Sequence, residues 1–385
     1  MRSFSYLNTA GRILQSYDGQ LPLAAWLKQY FREHKKFGSK DRKTISQLCY
    51  GFYRLGAAFG WLSTEEKILA GAFLFPGGLE WLIAEQRPEW KNRIDLPLHE
   101  KITVLQPNGI VQPFPFTDDL SREIDQRAFN ESFFHQPDFF LRLRPGKENI
   151  VAEKLAAAGI AFERQGDSCL RLPSHSRADE VLDIDADAVV QDLSSQRVLE
   201  PLAGKLDQDR RFQVWDCCAA SGGKSILARD LYPLSRLTVS DVRQSILINL
   251  RNRFQRAGIE NYRHFVADLA SLGFSISHTF DLVVCDAPCS GSGTWGRTPE
   301  QLSFFTPEKI GHYVRLQKAI SVRAGKQLKK GGFLLYITCS VFAAENEEVV
   351  KHICNNLPVS LLSMQYFKGY ELRADTLFAA LFTAL

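Results

Sequence analysis

Two cysteines stand where a thiol could act as a nucleophile. Cys289 sits in Asp286-Ala287-Pro288-Cys289-Ser290-Gly291-Ser292-Gly293, and Cys339 in Thr338-Cys339-Ser340. Each motif closes an apolar run, FDLVVCDAP or GGFLLYITCS, that reads as a buried strand. If the strands are parallel neighbours, both thiols and Asp286 hang over one cleft. Such a set suits covalent catalysis. Carbon 5 of a pyrimidine is too poor a nucleophile to take a methyl group unaided. Thiolate addition at carbon 6 makes it enamine-like, and a nearby acid supports the charge at ring N3. A base then removes the carbon 5 proton and the thiolate leaves, with the second thiol free to assist. Free cysteine is commonly just a buried apolar residue. Two cysteines at strand ends, beside an aspartate and a glycine-rich loop, favour the chemical reading.

A second constellation points to a nucleoside ligand. Asp216-Cys217-Cys218-Ala219-Ala220-Ser221-Gly222-Gly223-Lys224-Ser225 follows the run FQVWDCC and opens a helix. Small residues let a ligand approach the backbone, and the helix start offers free amides. Gly223-Lys224-Ser225 resembles the tail of a phosphate-binding loop, but that motif needs glycine where Cys218 stands. No GxGxxG occurs. Asp241 ends the second strand, placed to accept both hydroxyls of a ribose. Asp268 ends the third, placed beside an adenine amino group. Each alone could be a helix cap. Three aspartates at successive strand ends, without a phosphate pattern, favour S-adenosylmethionine (SAM) over NAD or ATP.

These residues require a scaffold that aligns strand ends. From Phe212 onward, the runs FQVWDCC, RLTVSD, YRHFVAD, FDLVVCDAP and GGFLLYITCS are mostly separated by helical patterns, notably 242–257 and 307–329. That alternation predicts an α/β, doubly wound, mostly parallel sheet. Upstream, apolar residues recur at three and four (Ile45, Leu48, Cys49, Phe52, Leu55), predicting an all-α bundle from 7 to about 90. Residues 91–135 read as irregular. Residues 138–193 read as a small α+β module with strands at 139–141 and 168–172 and a helix near 150–158.

The motifs resemble those of the bacterial RNA cytosine-5 methyltransferases of the Sun or RsmB type. Asp216 to Lys224 matches the family's D-x-C-A-A-P-G-G-K with Ser221 in place of proline. Asp286 to Gly293 matches D-A-P-C-S-G-x-G, and Thr338 to Ser340, followed by Glu345-Asn346-Glu347, matches T-C-S. The resemblance implies that Cys339 is the nucleophile, that Cys289 serves adduct breakdown, that Asp286 contacts the base and that Lys224 supports both sites. It implies SAM binding by Cys218, Ala219, Ala220, Ser221, Gly222, Gly223, Lys224, Asp241, Asp268 and Asp286. A T-C-S beside a P-C points to RNA rather than DNA. Lys40-Asp41-Arg42 and the following LCYGFYR resemble a NusB-like helical domain, and QDLSSQ at 191–196 resembles the approach to the family's catalytic domain. The implied organisation is a NusB-like RNA-binding domain with linker over 1–125, a small α+β module over 126–200 and a Rossmann-like SAM-dependent catalytic domain over 201–385. Arg142, Arg297, Lys40 and Arg42 are the expected RNA contacts. The chain departs from the family at Gly296-Arg297-Thr298-Pro299, where two arginines often precede the proline, and after Phe140-Leu141-Arg142, where valine-asparagine is usual.

Composition agrees with that picture. A hydrophobic fraction of 45%, 23% charged residues and a formal charge of +4 over 385 residues suit a globular protein that tolerates a nucleic-acid partner. Lys28, Arg32, Lys35, Lys36, Lys40, Arg42 and Lys43 cluster against only two acids between 28 and 43, as a solvated helix face or a phosphate-contacting surface. Eight scattered cysteines without CxxC argue against structural zinc. The most apolar stretch, Ile68 to Leu79, is broken by Pro76 and falls short of the roughly 20 residues that span a bilayer. We therefore expect a cytoplasmic, monomeric enzyme that uses SAM, no metal and no membrane, with 16S rRNA as partner. Transfer RNA as substrate, a non-catalytic rRNA-binding protein with a vestigial methylase domain, and a P-loop hydrolase are the alternatives.

Overall fold

The computed structural model describes residues 2–106, 111–271, 273 and 276–385. The chain divides into two units. The first comprises Met1–Asp118, Asp125–Gln136 and Trp295–Thr306; the second holds Asp119–Ile124, Pro137–Thr294 and Pro307–Leu385.

The first unit is helical. It contains α1 (Arg2–Ser16), α2 (Leu23–Glu33), α3 (Ser39–Arg54), α4 (Thr64–Leu74), α5 (Glu80–Gln86), α6 (Leu98–Leu105) and α7 (Gln126–Ser132). The predicted stripe is buried except for the half-buried Phe52: Ile45, Leu48, Cys49 and Leu55 are fully enclosed with Ile13, Leu23, Phe73 and Leu82. Ser63 and Glu66 form a reciprocal cap at the start of α4. The stretch expected to be irregular carries α6 and α7, because Pro97 starts one helix and the Asp125 side chain caps the other, accepting from Ala128 N at 2.8 Å. Arg54 donates to the carbonyls of Phe133 and His135 at 3.1 and 3.0 Å, tying α3 to the 125–136 segment. Phe114 packs on Trp295 and Phe116 on Phe305, so the late segment belongs to the same aromatic core.

The second unit holds two sheets. The smaller is antiparallel in the order β2-β3-β1-β4, from β1 (Phe139–Leu143), β2 (Glu163–Arg164), β3 (Cys169–Leu172) and β4 (Ala188–Val190). Helix α8 (Glu148–Ala157) covers it through Val151 and Leu155. The helix α9 (Leu193–Arg197) follows.

The larger sheet has the order β10-β11-β9-β8-β5-β6-β7. Its strands are β5 (Gln213–Asp216), β6 (Arg236–Asp241), β7 (Tyr262–Val266), β8 (Phe280–Asp286), β9 (Leu328–Thr338), β10 (Val359–Lys368) and β11 (Thr376–Ala384). The five strands from β9 to β7 are parallel, as the alternating pattern predicted. β10 and β11 form an antiparallel hairpin beside β9, an edge the sequence did not announce. Successive side chains of the central strands feed two cores. Val214, Leu282, Val284, Leu335 and Ile337 pack with residues of α10 (Gly223–Leu231) and α11 (Gln244–Arg256). Trp215, Val283, Cys285, Leu334 and Tyr336 pack with those of α12 (Glu308–Gly325) and α13 (Glu347–Asn356). Coverage on both faces is why these strands read as unbroken apolar runs. Each fully buried Val, Leu or Ile contributes about 1.5–3 kcal/mol. Among the described residues no helix is long and apolar enough to cross a membrane.

Candidate active site

The register of the large sheet brings the carboxyl ends of β5, β6, β8 and β9 to one edge. Asp286 pairs across from Ile337, so Cys339 follows the end of β9 directly beside the β8 loop. In that arrangement Cys289 Sγ lies 3.9 Å from Cys339 Sγ and donates to it. Cys339 N donates back to Cys289 Sγ at 3.3 Å. The hydrogen bond to Cys339, then burial, then the charges of Cys339 and Glu345 push the Cys289 thiol well above its usual range. Gly293 N donates to Cys339 O at 2.9 Å. A Cβ on Gly293 would meet Thr376 O at 2.0 Å, so only glycine lets the loop pass that close.

The remaining predicted catalytic pair meets at the same edge. Lys224 Nζ donates to Asp286 Oδ2 at 2.6 Å, with the two side chains 13% and 23% exposed, open enough to meet a ligand. Burial alone would lower the Lys224 ammonium, but the charges of Asp286 and Cys339 and the hydrogen bond to Asp286 hold it above the usual lysine value.

The loop between β5 and α10 is fixed from below. Trp215 Nε1 donates to Ser240 Oγ, which donates to Cys217 O. Gly222 caps α10 at φ +85°, where a Cβ would meet Phe254 at 2.8 Å. Ser221, in the family's proline position, takes its support from α11: Arg253 donates to both its Oγ and its carbonyl, at 3.0 and 3.2 Å. Arg253 also pairs with the buried Asp185. Asp216 is 2% exposed and accepts from Ser225 Oγ at 2.6 Å, while its Oδ1 has no partner among the described residues. Burial first, then the charge of Asp286, pushes its carboxyl up to about 7.

Asp241 is buried at the end of β6. Its Oδ2 accepts from Ala220 N at 3.0 Å, and its Oδ1 from Arg243 N at 3.0 Å and Arg243 Nε at 3.3 Å. Oδ2 keeps a further lone pair for a ribose hydroxyl. With Lys224 and Asp286 open beside a loop of small residues, this donor and acceptor set fits a nucleoside carrying a positive sulfur.

Asp268 follows β7 next to Asp241, whose carbonyl accepts from Ala267 N at 3.1 Å; it is exposed and accepts from Ala270 N at 2.9 Å. Arg142 corrects the expectation of an RNA contact. It is 3% exposed and its guanidinium is held by Asp230 and by Gln191 at 2.8 Å inside the second unit. Arg297 lies on the 295–306 segment of the first unit, and Lys40 and Arg42 are exposed on α3. Sequence reasoning passed over Arg253, Gln317 and the part played by Glu345. None carries a spacing signal; each acts through a partner distant in the chain.

Comparison with known proteins supplies the remaining context. Residues 203–376 match the family described as 16S rRNA methyltransferase RsmB/F. The ribosomal RNA small subunit methyltransferase B of Proteus mirabilis is 29% identical over 388 residues, covering 89% of each chain. The ribosomal RNA small subunit methyltransferase F of Shewanella woodyi is 31% identical over 170 residues, covering 44% of this chain and 36% of that one. Across that relative and two from strains of Xylella fastidiosa, the chain spans 36 to 53% of their length. Among solved structures, PH0851 has a TM-score of 0.66 at 18% identity, covering 92% of this chain and 93% of its own, a likeness of fold.

Proposed function

Because residues 203–376 form an RsmB/F-type methyltransferase domain, we propose that this protein methylates carbon 5 of a cytosine in 16S rRNA, with SAM as donor, through a covalent cysteine adduct. The observation that carries the reading is the 3.9 Å approach of Cys289 to Cys339 beside the Lys224–Asp286 pair. A methyltransferase working on a nitrogen or an oxygen has no use for two thiols at that spot.

In this reading Asp241, Ala219 to Gly223 and Lys224 hold SAM, which supplies the methyl group as an electrophile. Cys339 adds to carbon 6 of the cytosine. Asp286 faces the base, and the Lys224 ammonium supplies through it the proton that meets the negative charge developing at N3. Methylation at carbon 5, with the demethylated cofactor as leaving group, leaves the C5–C6 bond saturated. Loss of the carbon 5 proton to a base then expels the Cys339 thiolate. Cys289, kept as a thiol, is placed to assist that expulsion. Lys40, Arg42 and Arg297 are the candidate phosphate contacts. Nothing in this sequence of steps calls for a metal or a second copy of the chain, and the reading has the protein work as a cytoplasmic monomer.

The test incubates unmodified 16S rRNA with SAM labelled on its methyl group, then digests the RNA. Label in 5-methylcytidine supports the reading. Label in another nucleoside, or none in the presence of bound SAM, overturns the cytosine-5 assignment or the choice of RNA.

A further inference from the structure

Glu345 is a fully buried carboxylate that the proposed chemistry leaves without a task. Its Oε1 accepts from Ser340 Oγ at 2.9 Å. Its Oε2 accepts from Ser290 N at 2.9 Å and from Gln317 Nε2 at 2.7 Å. Ser340 and Ser290 are the residues immediately after Cys339 and Cys289. Gln317, itself fully buried on α12, also donates to Pro288 O at 3.0 Å. The peptide is therefore gripped on both sides of Cys289, and the same carboxylate reaches the residue beside Cys339. Ser292 completes the lacing, with its Oγ 3.2 Å from Ser340 Oγ and accepting from Val341 N at 3.0 Å.

Burying a charge is costly unless several donors meet it. A carboxylate offers acceptors at both oxygens, so it takes bonds from both loops at once; an amide would keep one oxygen for Ser290 N and Gln317 Nε2 and could donate to Ser340 Oγ. Fold stability does not require this arrangement, since an apolar residue would fill the same volume at lower cost. Two loops that must keep their sulfurs at a working distance do require it. Glu345 also faces the Cys289 thiol with negative charge, which disfavours a second thiolate beside the first.

We propose that Glu345 is a positioning residue that, with Gln317, holds the Cys289 loop against the Cys339 loop so that Cys289 can act in release of the methylated base. The proposal rests on the cytosine-5 reading for its consequence in turnover, but not for its consequence in thiol chemistry.

Two measurements on the full-length protein test it. In the first, Glu345→Ala, Glu345→Gln and Gln317→Ala are compared with wild type in single and multiple turnover on 16S rRNA. The expected result is a first-turnover rate within about threefold of wild type, with steady turnover down at least about tenfold in Glu345→Ala, a protein–RNA adduct persisting on a denaturing gel, and Glu345→Gln recovering most of the loss. Equal loss of both rates without adduct, or no loss, overturns the release role. In the second, RNA-free protein is alkylated with iodoacetamide and each cysteine followed by mass spectrometry across pH. Glu345→Ala and Gln317→Ala should speed Cys289 alkylation several-fold, and Glu345→Ala should move its pH profile down. Unchanged Cys289 rates in both variants, each melting within a few degrees of wild type, overturn the positioning role even if wild type makes no 5-methylcytidine.

Discussion

Asp286 holds the Lys224 ammonium at 2.6 Å, three residues before Cys289, so one ion pair ties the cofactor loop to the cysteine loop. Because Lys224 is held above the usual lysine value, the pair persists through neutral pH. Its contribution is present below the ordinary lysine pKa and is lost only as pH rises through the higher folded value. Activity should therefore show no alkaline fall from Lys224 below about pH 10. Asp286→Asn should cut kcat by roughly 10²–10⁴-fold, read as labelled 5-methylcytidine per minute. A Lys224-linked fall near pH 8 would contradict the assignment.

The two cysteines should fail differently. Cys339→Ala should bring methylation below about a thousandth of wild type and form no adduct. Cys289→Ala should still attack, so a slow protein–RNA band should build up on a denaturing gel when SAM is present. A trapped band in Cys339→Ala instead would exchange the two roles.

Asp216 gives a stability signature. Its carboxyl is pushed up to about 7 by burial. The folded protein then holds a proton that the unfolded chain releases near pH 4, so stability falls as pH rises from about 4 to about 7 and is flat beyond. Asp216→Asn keeps an oxygen for Ser225 and removes the titration. Denaturant midpoints of wild type and variant should diverge across that window, by at most ~4 kcal/mol. Parallel curves would show that the carboxyl titrates normally.

Arg142 and the α3 cations should separate structure from binding. Arg142→Met leaves Asp230 with Arg144 alone, at 2.9 Å, and should destabilise by about 1.5–3 kcal/mol in urea. The slope of RNA affinity against salt should not change. Lys40→Ala and Arg42→Ala should do the reverse, with near-native stability and a salt slope reduced by about one for each phosphate no longer neutralised. An Arg142→Met protein with native stability and a shallower salt slope would restore it as an RNA contact.

The strand-end residues are legible in the sequence because each ends an apolar run too short for a helix and bounded by polar residues. Asp216, Asp241 and Asp286 are placed by that pattern alone. β11 is not: TLFAALFTA is apolar but for Thr376 and Thr383, so it has no period to separate strand from helix. Arg142 misleads because a cation after an apolar run looks like a surface residue until Asp230, 88 residues away in sequence, neutralises it. Glu345 stands in plain view after the T-C-S. Its bonds to Ser290 and Gln317 depend on loop approach, which spacing does not encode.

The units trade pieces of chain. Asp119–Ile124 leaves the helical unit's stretch of sequence to join the sheet unit, where Ser121 N donates to Val341 O just beyond Cys339. Trp295–Thr306 makes the opposite trip, just after Gly293. A single cut between the two halves of the sequence therefore removes chain from both units. A truncation at residue 136 would take the 119–124 segment from beside the Cys339 loop and strand Trp295 and Phe305 without their aromatic partners. Recombination that respected the folded units would need extra crossover points on either side of both exchanged segments.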